Sequence, residues 1–566
     1  MHLIYLKEGR NYTAADLEAC VRVQLPVEGE PADWLDAAFL ERLRQAINGE
    51  FGKTVVKGRK ENGKFVFHYL GLYDYVDEET GRNLTFFFVP KFIDFQEGSD
   101  CSYDADVEED PPEGHADAAT WQMRMESFHN HDRDAVLRAI DRYNKEQARL
   151  SDQVEASEKK RESVLELAVR VLRDYLENGL YLVPRRELEL NGQGEIDWNA
   201  TIGGFQPVIR DGCPYYMDVL TERAYSDENH YVTRLHKCLV TTWGRKLEEL
   251  GLSSVLRVNV PLLSEEELGH FGDADFQVAQ LDRELRMQFV TKSRETLGLM
   301  KELIQRASEN QASNYESLSF GMTGVEHLWE DACAEVLGTE LEKEIRTCGF
   351  PDGPEGVSFS KYMPRIYWTN LFPDSGHEGA EKAFNADKGS QRSKKAGWRL
   401  DFIRAWRPDP AGPAEKLAIL DAKYYCARWW NGSIAGQPGT PDIAKQMFYQ
   451  MAFYNLIAPD RIVNAFLLPE DDKNPRYALG GDVKISETVR MESRENGKDG
   501  FAPTKAFAGI NLFTVRIPGI RLLERYADYD VANDWFEKIV GFGSNRGGGG
   551  SPPPNQNGTG IVLSGE

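Results

Sequence analysis

The chain is poor in several features that would each have pointed to a chemistry. Its seven cysteines (Cys20, Cys101, Cys213, Cys238, Cys333, Cys348 and Cys426) are scattered singly through 566 residues, with no Cys-x-x-Cys pair. An odd set of isolated thiols in so long a chain indicates a reducing compartment and argues against a structural zinc. No apolar run approaches the ~20 residues that cross a bilayer. The opening MHLIYLKEGRNY has no long apolar core of the signal-peptide kind, so a cytoplasmic protein with no membrane partner is expected. Gly-x-Ser-x-Gly is absent, which leaves serine-hydrolase chemistry unsupported. GRKENGKF (58–65) imitates the spacing of a nucleotide-binding loop, but Phe65 stands where Ser or Thr would be needed. A strand pattern follows where a helix is required, so the stretch reads as a turn and the chain lacks an NTPase site of its own.

Positive charge is also short. Lys and Arg number 67 against 91 Asp and Glu, a formal net charge of −24 and a pI near 5.0. Indiscriminate attraction to nucleic acid is therefore excluded. The charge is uneven, however: EGSDCSYDADVEEDPPEGHADAA (97–119) has no Lys or Arg, whereas EKAFNADKGSQRSKKAGWR (381–399) is basic. An acidic body with a basic approach to one place remains compatible with local contacts to DNA.

At 41% hydrophobic and 28% charged residues the composition is that of an ordinary globular protein, long enough for several cores. The fold class expected is α/β (α+β overall). Residues 1–120 read as a mixed α/β domain with an acidic linker, in which KFVFHYLGLYDYV and NLTFFFVPKFIDF are strands around the turn DEETGR. Residues 121–320 read as a largely helical middle region, including SDQVEASEKKRESVLELAVRVLRDYLENG, stopped by Gly179, and YVTRLHKCLVTTWGRKLEEL. Residues 321–540 alternate: helix (GVEHLWEDACAEVLG), strand (GWRLDFIRAW), strand (KLAILDAKYY), helix (PDIAKQMFYQMAFYNLI), strand (IVNAFLLP). Residues 541–566 form a Gly- and Pro-rich tail.

The chemistry concentrates in the third of these patterns. In an otherwise apolar strand, Asp421 and Lys423 are two apart and so share a face. Burying an acid and a base together costs several kcal/mol unless they pair, bind a metal or do chemistry. Asp401, near the start of the preceding strand, is placed by a hairpin turn containing Pro408, Pro410 and Pro413 to lie beside Asp421. Two facing carboxylates repel unless a cation sits between them, and with oxygen ligands Mg²⁺ is the natural choice. Lys423 beside such a cation is suited to helping activate water and to stabilising charge on a phosphate. Thr440, Pro441 and Asp442 signal the start of the next helix, with Thr440 as the capping hydroxyl. On that helix Gln446 and Gln450 are four apart, and Tyr454 completes a Gln-x-x-x-Tyr pattern with Gln450. Glu330, in HLWEDACAEV, is a further carboxylate able to reach the cation. The competing reading makes Asp421 and Lys423 a surface ion pair, Glu330 part of a solvated helix face and Gln446 a surface residue. His129 and His131 in FHNHD read as a helix start, and His236 as a structural histidine.

Asp…Asp-x-Lys followed by Gln-x-x-x-Tyr resembles the PD-(D/E)xK nuclease superfamily in its RecB-like and McrC-like branch. The wider chain resembles the LlaJI family of restriction endonucleases. That likeness is carried by HYLGLYDYV…FFFVPKFI, LRDYLENGLY…ELNGQGEIDWNATI, VTRLHK, VEHLWEDAC, RLDFI, ILDAKYY and DIAKQMFYQMAFY, which span nearly all of the chain before the tail. The resemblance implies a restriction-endonuclease-like mixed sheet flanked by helices in residues 321–540. It also implies a Mg²⁺-dependent DNA endonuclease subunit of a restriction (anti-phage defence) system, with Mn²⁺ as a possible substitute. Carried over residue by residue, Asp401 and Asp421 become metal ligands, Lys423 the catalytic lysine and Glu330 the helical acidic position; AKQMFY favours Gln446 as the catalytic amide and YQMAFY favours Gln450, which is preferred because Tyr454 completes its pattern. Leu400 stands where the superfamily has its proline, which leaves the carboxylate untouched. McrC-like proteins work with an AAA+ GTPase of the McrB type, so such a GTPase or ATPase partner is implied, with residues 1–320 serving its assembly and stimulation. The alternatives are a non-catalytic regulatory subunit that stimulates that partner, and a nuclease that acts alone.

Overall fold

The computed structural model describes residues 3–12, 16–17, 20–21, 42, 65–77, 82–93, 130–151, 163–312, 318–363, 367–368, 382–383, 400–426, 428–430, 433–471, 484–489, 493–494, 501–502 and 512–542. The acidic stretch 97–119, most of GRKENGKF, most of the basic stretch 381–399, His129 and the tail from 543 lie outside the described residues.

The principal elements of the first half are β1 (Leu3–Lys7), β2 (Leu70–Asp77), β3 (Arg82–Val89), α1 (Asn130–Ser151), α2 (Val164–Asn178), β4 (Val183–Leu190), β5 (Glu195–Ile196), β6 (Leu220–Asp227) and α3 (Tyr231–Glu249). The second half carries α4 (Ala274–Met287), α5 (Thr291–Ala312), β7 (Leu318–Met322), α6 (Val325–Leu337), β8 (Phe402–Trp406), β9 (Lys416–Ala422), α7 (Thr440–Ala452), β10 (Ile462–Glu470), β11 (Lys484–Val489), β12 (Leu512–Pro518), α8 (Gly519–Ala527) and α9 (Asn533–Phe542). This is the mixed α/β architecture the sequence patterns predict.

Two sheets matter for position. The first has the order β1-β3-β2-β7, and its last strand arrives from some 230 residues beyond β3. β7 straddles the expected 320/321 boundary, because its partner is β2 of the N-terminal sheet. The second has the order β8-β9-β10-β12-β11, with β9, β10 and β12 parallel and both outer strands antiparallel. β9 and β10 are nearly continuous apolar runs, as strands covered on both faces require. Helices α6 and α7 both lie against this sheet, with α7 packing on β9 and β10.

The middle region is less helical than expected. Residues 183–227 form a three-stranded sheet, β4-β6-β5, with a short helix and a small hairpin. Several large apolar side chains there stay in solvent, among them Leu190, Trp198, Ile209 and Met217. The helices elsewhere follow their sequence signals. Ser163 caps α2 by accepting from the Glu166 N–H while Glu166 accepts from the Ser163 N–H, and Gly179 follows its end at φ 77°.

One buried cluster ties α1, α6 and α8 together. The Arg142 guanidinium stacks on Tyr526 (4.1 Å) and Tyr529 (3.8 Å) and donates to Glu146 at 2.8 Å, Glu335 at 3.3 Å and the Tyr526 carbonyl. The Tyr526 hydroxyl donates to Asp331 at 2.5 Å. The N-terminal sheet reaches the second sheet through Tyr424, just beyond β9, whose hydroxyl donates to the buried Glu8 at 2.8 Å. Burial pushes the Glu8 carboxyl up to about 7, against the lowering influence of Lys91.

His236 on α3 is structural, as its sequence context predicts: fully buried, with Nδ1 accepting from the Tyr181 N–H at 3.0 Å. Burial lowers its pKa to about 4. The folded chain therefore binds fewer protons here than the unfolded chain, whose histidine titrates near 6.5. The stability this confers is complete above pH ~6.5 and is lost as pH falls towards 4, a total of about 3 kcal/mol. Urea unfolding from pH 7 to pH 4 should show that decline, and His236→Phe should flatten it.

Candidate active site

The β8–β9 hairpin sets the first two residues. Phe402 pairs with Leu420, so the next position outward places Asp401 opposite Asp421. Asp401 itself lies in a bend ahead of β8, not inside the strand as its spacing predicts. The edge strand is held to the end of α6 by a set of anchors. Glu340 N–H donates to the Ile403 carbonyl at 2.7 Å, and the buried Glu340 carboxylate accepts from Ala405 N–H at 3.0 Å and Arg407 at 2.9 Å. Arg404 donates to the Leu337 carbonyl at 2.7 Å and to Asn533 at 2.8 Å. Gly338 ends α6 at φ 73°, and a Cβ there would sit 3.2 Å from the Arg404 guanidinium, so glycine meets both the backbone and the space requirement.

Asp421, on β9, is 1% exposed. Lys423 Nζ lies 2.8 Å from its Oδ2, close enough for an ion pair although the angle does not align a hydrogen bond. Lys445 Nζ, from α7, reaches Oδ1 at 3.3 Å. Lys423 also lies 3.7 Å from Asp442 at the start of α7. Burial, with the Asp421 carboxylate beside it, pushes the Asp401 carboxyl up to about 8. For Lys423 and Lys445 burial works to lower the pKa, but the neighbouring carboxylates, Asp421 foremost, offset it and leave both ammonium groups above the ordinary lysine value.

α7 begins differently from its sequence signal. Gly439 is the N-cap and Thr440 the first helical residue, so the N–H of Gly439 donates to Asp442 (3.3 Å) and no threonine hydroxyl caps the helix. Asp442, Lys445 and Tyr449 recur at helical spacing towards β9, and the Lys445 ammonium rides over the Tyr449 ring at 5.3 Å. Phe448 and Met451 on the opposite side are exposed.

Both glutamines are buried. Gln446, expected at the surface, is fully enclosed, because the face of α7 that carries it packs on the sheet; its amide has no hydrogen-bond partner among the described residues. Gln450 Oε1 accepts from Asn464 Nδ2 at 3.1 Å, and the same Asn464 amide donates to the Gln446 carbonyl at 2.9 Å. Tyr454 is half-buried beyond the helix end, with burial raising its hydroxyl pKa.

Glu330 stands at the margin. Its side chain is 40% exposed and pairs with His327 at 3.6 Å, although its charge is felt at Asp401. Its neighbour Trp329 is buried and donates to the Leu467 carbonyl at 3.3 Å, which fixes α6 against β10. The structure thus brings Asp401, Asp421 and Lys423 together, with Glu330 within electrostatic reach and Gln450 inside the α7–β10 interface. Sequence reasoning missed Lys445; the Asp442/Lys445/Tyr449 spacing was the signal available.

Among the described residues no group of three or more His, Cys, Asp or Glu side chains is arranged to hold a metal ion. The Asp401 and Asp421 pair nevertheless fits a hard cation: each has a buried Oδ2 without a hydrogen-bond donor, and carboxylate oxygens are the ligands Mg²⁺ takes.

Asn464→Ala tests how α7 is seated. It removes one amide donor from two buried oxygens, so it should destabilise the protein by about 2 kcal/mol. Denaturant unfolding of the variant checks this, and an unchanged midpoint would dismiss Asn464 as the tie.

No helix among the described residues is long and apolar enough to cross a membrane. Over 342 residues the chain is 25% identical to the Type II restriction enzyme BsuMI component YdjA of Bacillus subtilis (strain 168), which takes in 59% of this chain and 65% of that protein. A solved McrC chain, from the half-complex of Thermococcus gammatolerans McrB AAA+ hexamers with bound McrC, aligns with 93% of this chain and 99% of its own length. That alignment has 13% identity and a TM-score of only 0.33. The family model of the LlaJI restriction endonuclease matches residues 124–349 and 384–492, more than half of the sequence and including Asp401, Asp421, Lys423 and Gln450, and the chain belongs to that family.

Proposed function

We propose that this chain is a metal-dependent DNA endonuclease subunit of a bacterial restriction system, hydrolysing backbone phosphodiesters at the Asp401/Asp421/Lys423 site. One observation carries the proposal: Asp401 and Asp421 converge at the end of the β8–β9 hairpin, with Lys423 Nζ 2.8 Å from Asp421 Oδ2. Asp401 and Asp421 would hold Mg²⁺ (or Mn²⁺), with Glu330 as an outer carboxylate. When bound, the ion supplies Lewis-acid stabilisation of charge on the phosphate. The raised pKa of Lys423 keeps it an ammonium at neutral pH. It would supply a positive charge where negative charge grows on the phosphate. Gln450, locked to Asn464, and the enclosed Gln446 set the position of α7 and of Lys445 over the site.

An AAA+ GTPase or ATPase of the McrB type is the partner we assign, following the family likeness in the sequence. Among the described residues, the exposed apolar side chains of residues 183–227 are suited to such a contact, since exposed apolar surface favours association.

Cleavage of plasmid DNA with Mg²⁺ is the test, using the chain alone and with the AAA+ protein encoded beside it plus GTP or ATP. Wild-type protein should cut. Asp421→Ala and Lys423→Ala, verified as folded, should each lose roughly 10²-fold or more. Cutting that survives both substitutions would remove the assigned site. No cutting in any condition, with the partner's nucleotide hydrolysis still stimulated, would favour the regulatory-subunit reading.

A further inference from the structure

Asp421 is held by two ammonium groups that are not equivalent. Lys423 belongs to the strand end and is 14% exposed, wedged between Asp421 Oδ2 and Asp442. Lys445 enters from α7, is 33% exposed, and takes the other carboxylate oxygen at 3.3 Å. Its ammonium also lies over the Tyr449 ring, and its charge opposes the upward push on Asp401. Asp401 and Asp421 each still have a buried Oδ2 without a hydrogen-bond donor. The cation that two facing carboxylates require is thus already supplied, by a flexible side chain with partial access to solvent.

We propose that Lys445 is a built-in counter-ion of Asp421 in the metal-free chain and competes with a divalent cation for the Asp401/Asp421 site. The inference rests on the nuclease reading above and adds to it a control on metal loading. A lysine ammonium at contact distance and an incoming divalent ion cannot share Asp421 without strong repulsion, since charges a few ångströms apart interact strongly where water is largely excluded. Metal entry must therefore move Lys445, which its unbranched stem and partial exposure allow. Lys423 has less freedom, because its backbone N–H is fixed to the Leu467 carbonyl at 2.9 Å and its side chain is enclosed.

The test is calorimetric titration of the full chain with Mn²⁺ in the absence of DNA, so the readout is affinity and not activity. Lys445→Met should bind Mn²⁺ roughly tenfold more tightly than wild type, because the competing charge is gone. Lys445→Arg, which keeps the charge, should stay near wild type, and Asp421→Asn should lose binding. Lys445→Gln gives a second neutral variant should the methionine fail to fold, with thermal melts as the check. Affinity unchanged or weakened in both neutral variants, while Asp421→Asn still loses binding, would overturn the role of Lys445 and leave the nuclease site standing. Binding indifferent to Asp421→Asn, or absent from every protein, would overturn the metal site and this inference with it.

Discussion

The structure around the candidate site depends on a carboxylate that water hardly reaches. Asp421 is 1% exposed, on a strand with neighbours on both sides, and an ionised group there is tolerable only if cations satisfy it. Lys423 supplies one from the same strand end and Lys445 the other from α7. The second contact makes α7 part of the site and not merely a cover for the sheet. Asp401, brought opposite by the hairpin register, then adds a carboxylate to a place already rich in charge, and burial, followed by the Asp421 carboxylate, raises its pKa.

Much of the surrounding framework serves to keep these few groups from moving. Asn464, in the middle of β10, holds α7 at two points. Glu340 and Arg404 hold the edge strand to the end of α6, so Asp401 and Glu330 sit on elements fixed to each other. Tyr424 follows Lys423 by one residue and ends at Glu8 of the N-terminal sheet, while Trp329 packs against it from α6. A site built on strands and helices braced in this way keeps its geometry better than one carried on loops.

The elements were legible where pattern and length agreed. The hairpin β8–β9, the helix that stops at Gly179, and the buried strands all follow from alternation, a glycine stop and apolar runs. The pairing of Asp401 with Asp421 followed too, since a hairpin fixes register locally. Other features could not be read in this way. Residues 183–227, expected within a largely helical region, hide their strands because these carry many charged side chains and stay widely exposed, so no apolar face marks them. The final strand of the N-terminal sheet, β7, pairs with a segment about 245 residues earlier, which no local pattern encodes.

The sequence by itself determined the residue types of the site, their order, and the strand–turn–strand–helix unit that bears them, because each of these is a short-range property of the chain. Tertiary structure decided which lysines answer Asp421, that Gln446 lies inside and not at the surface, and that Glu330 stays at the margin facing His327. The physical reason is the same in each case. The rotation of a helix about its axis and its seating on a sheet depend on the packing of residues far apart in the chain, and a shift of one position on α7 separates Lys445, which meets the carboxylate, from Gln446, which meets the core.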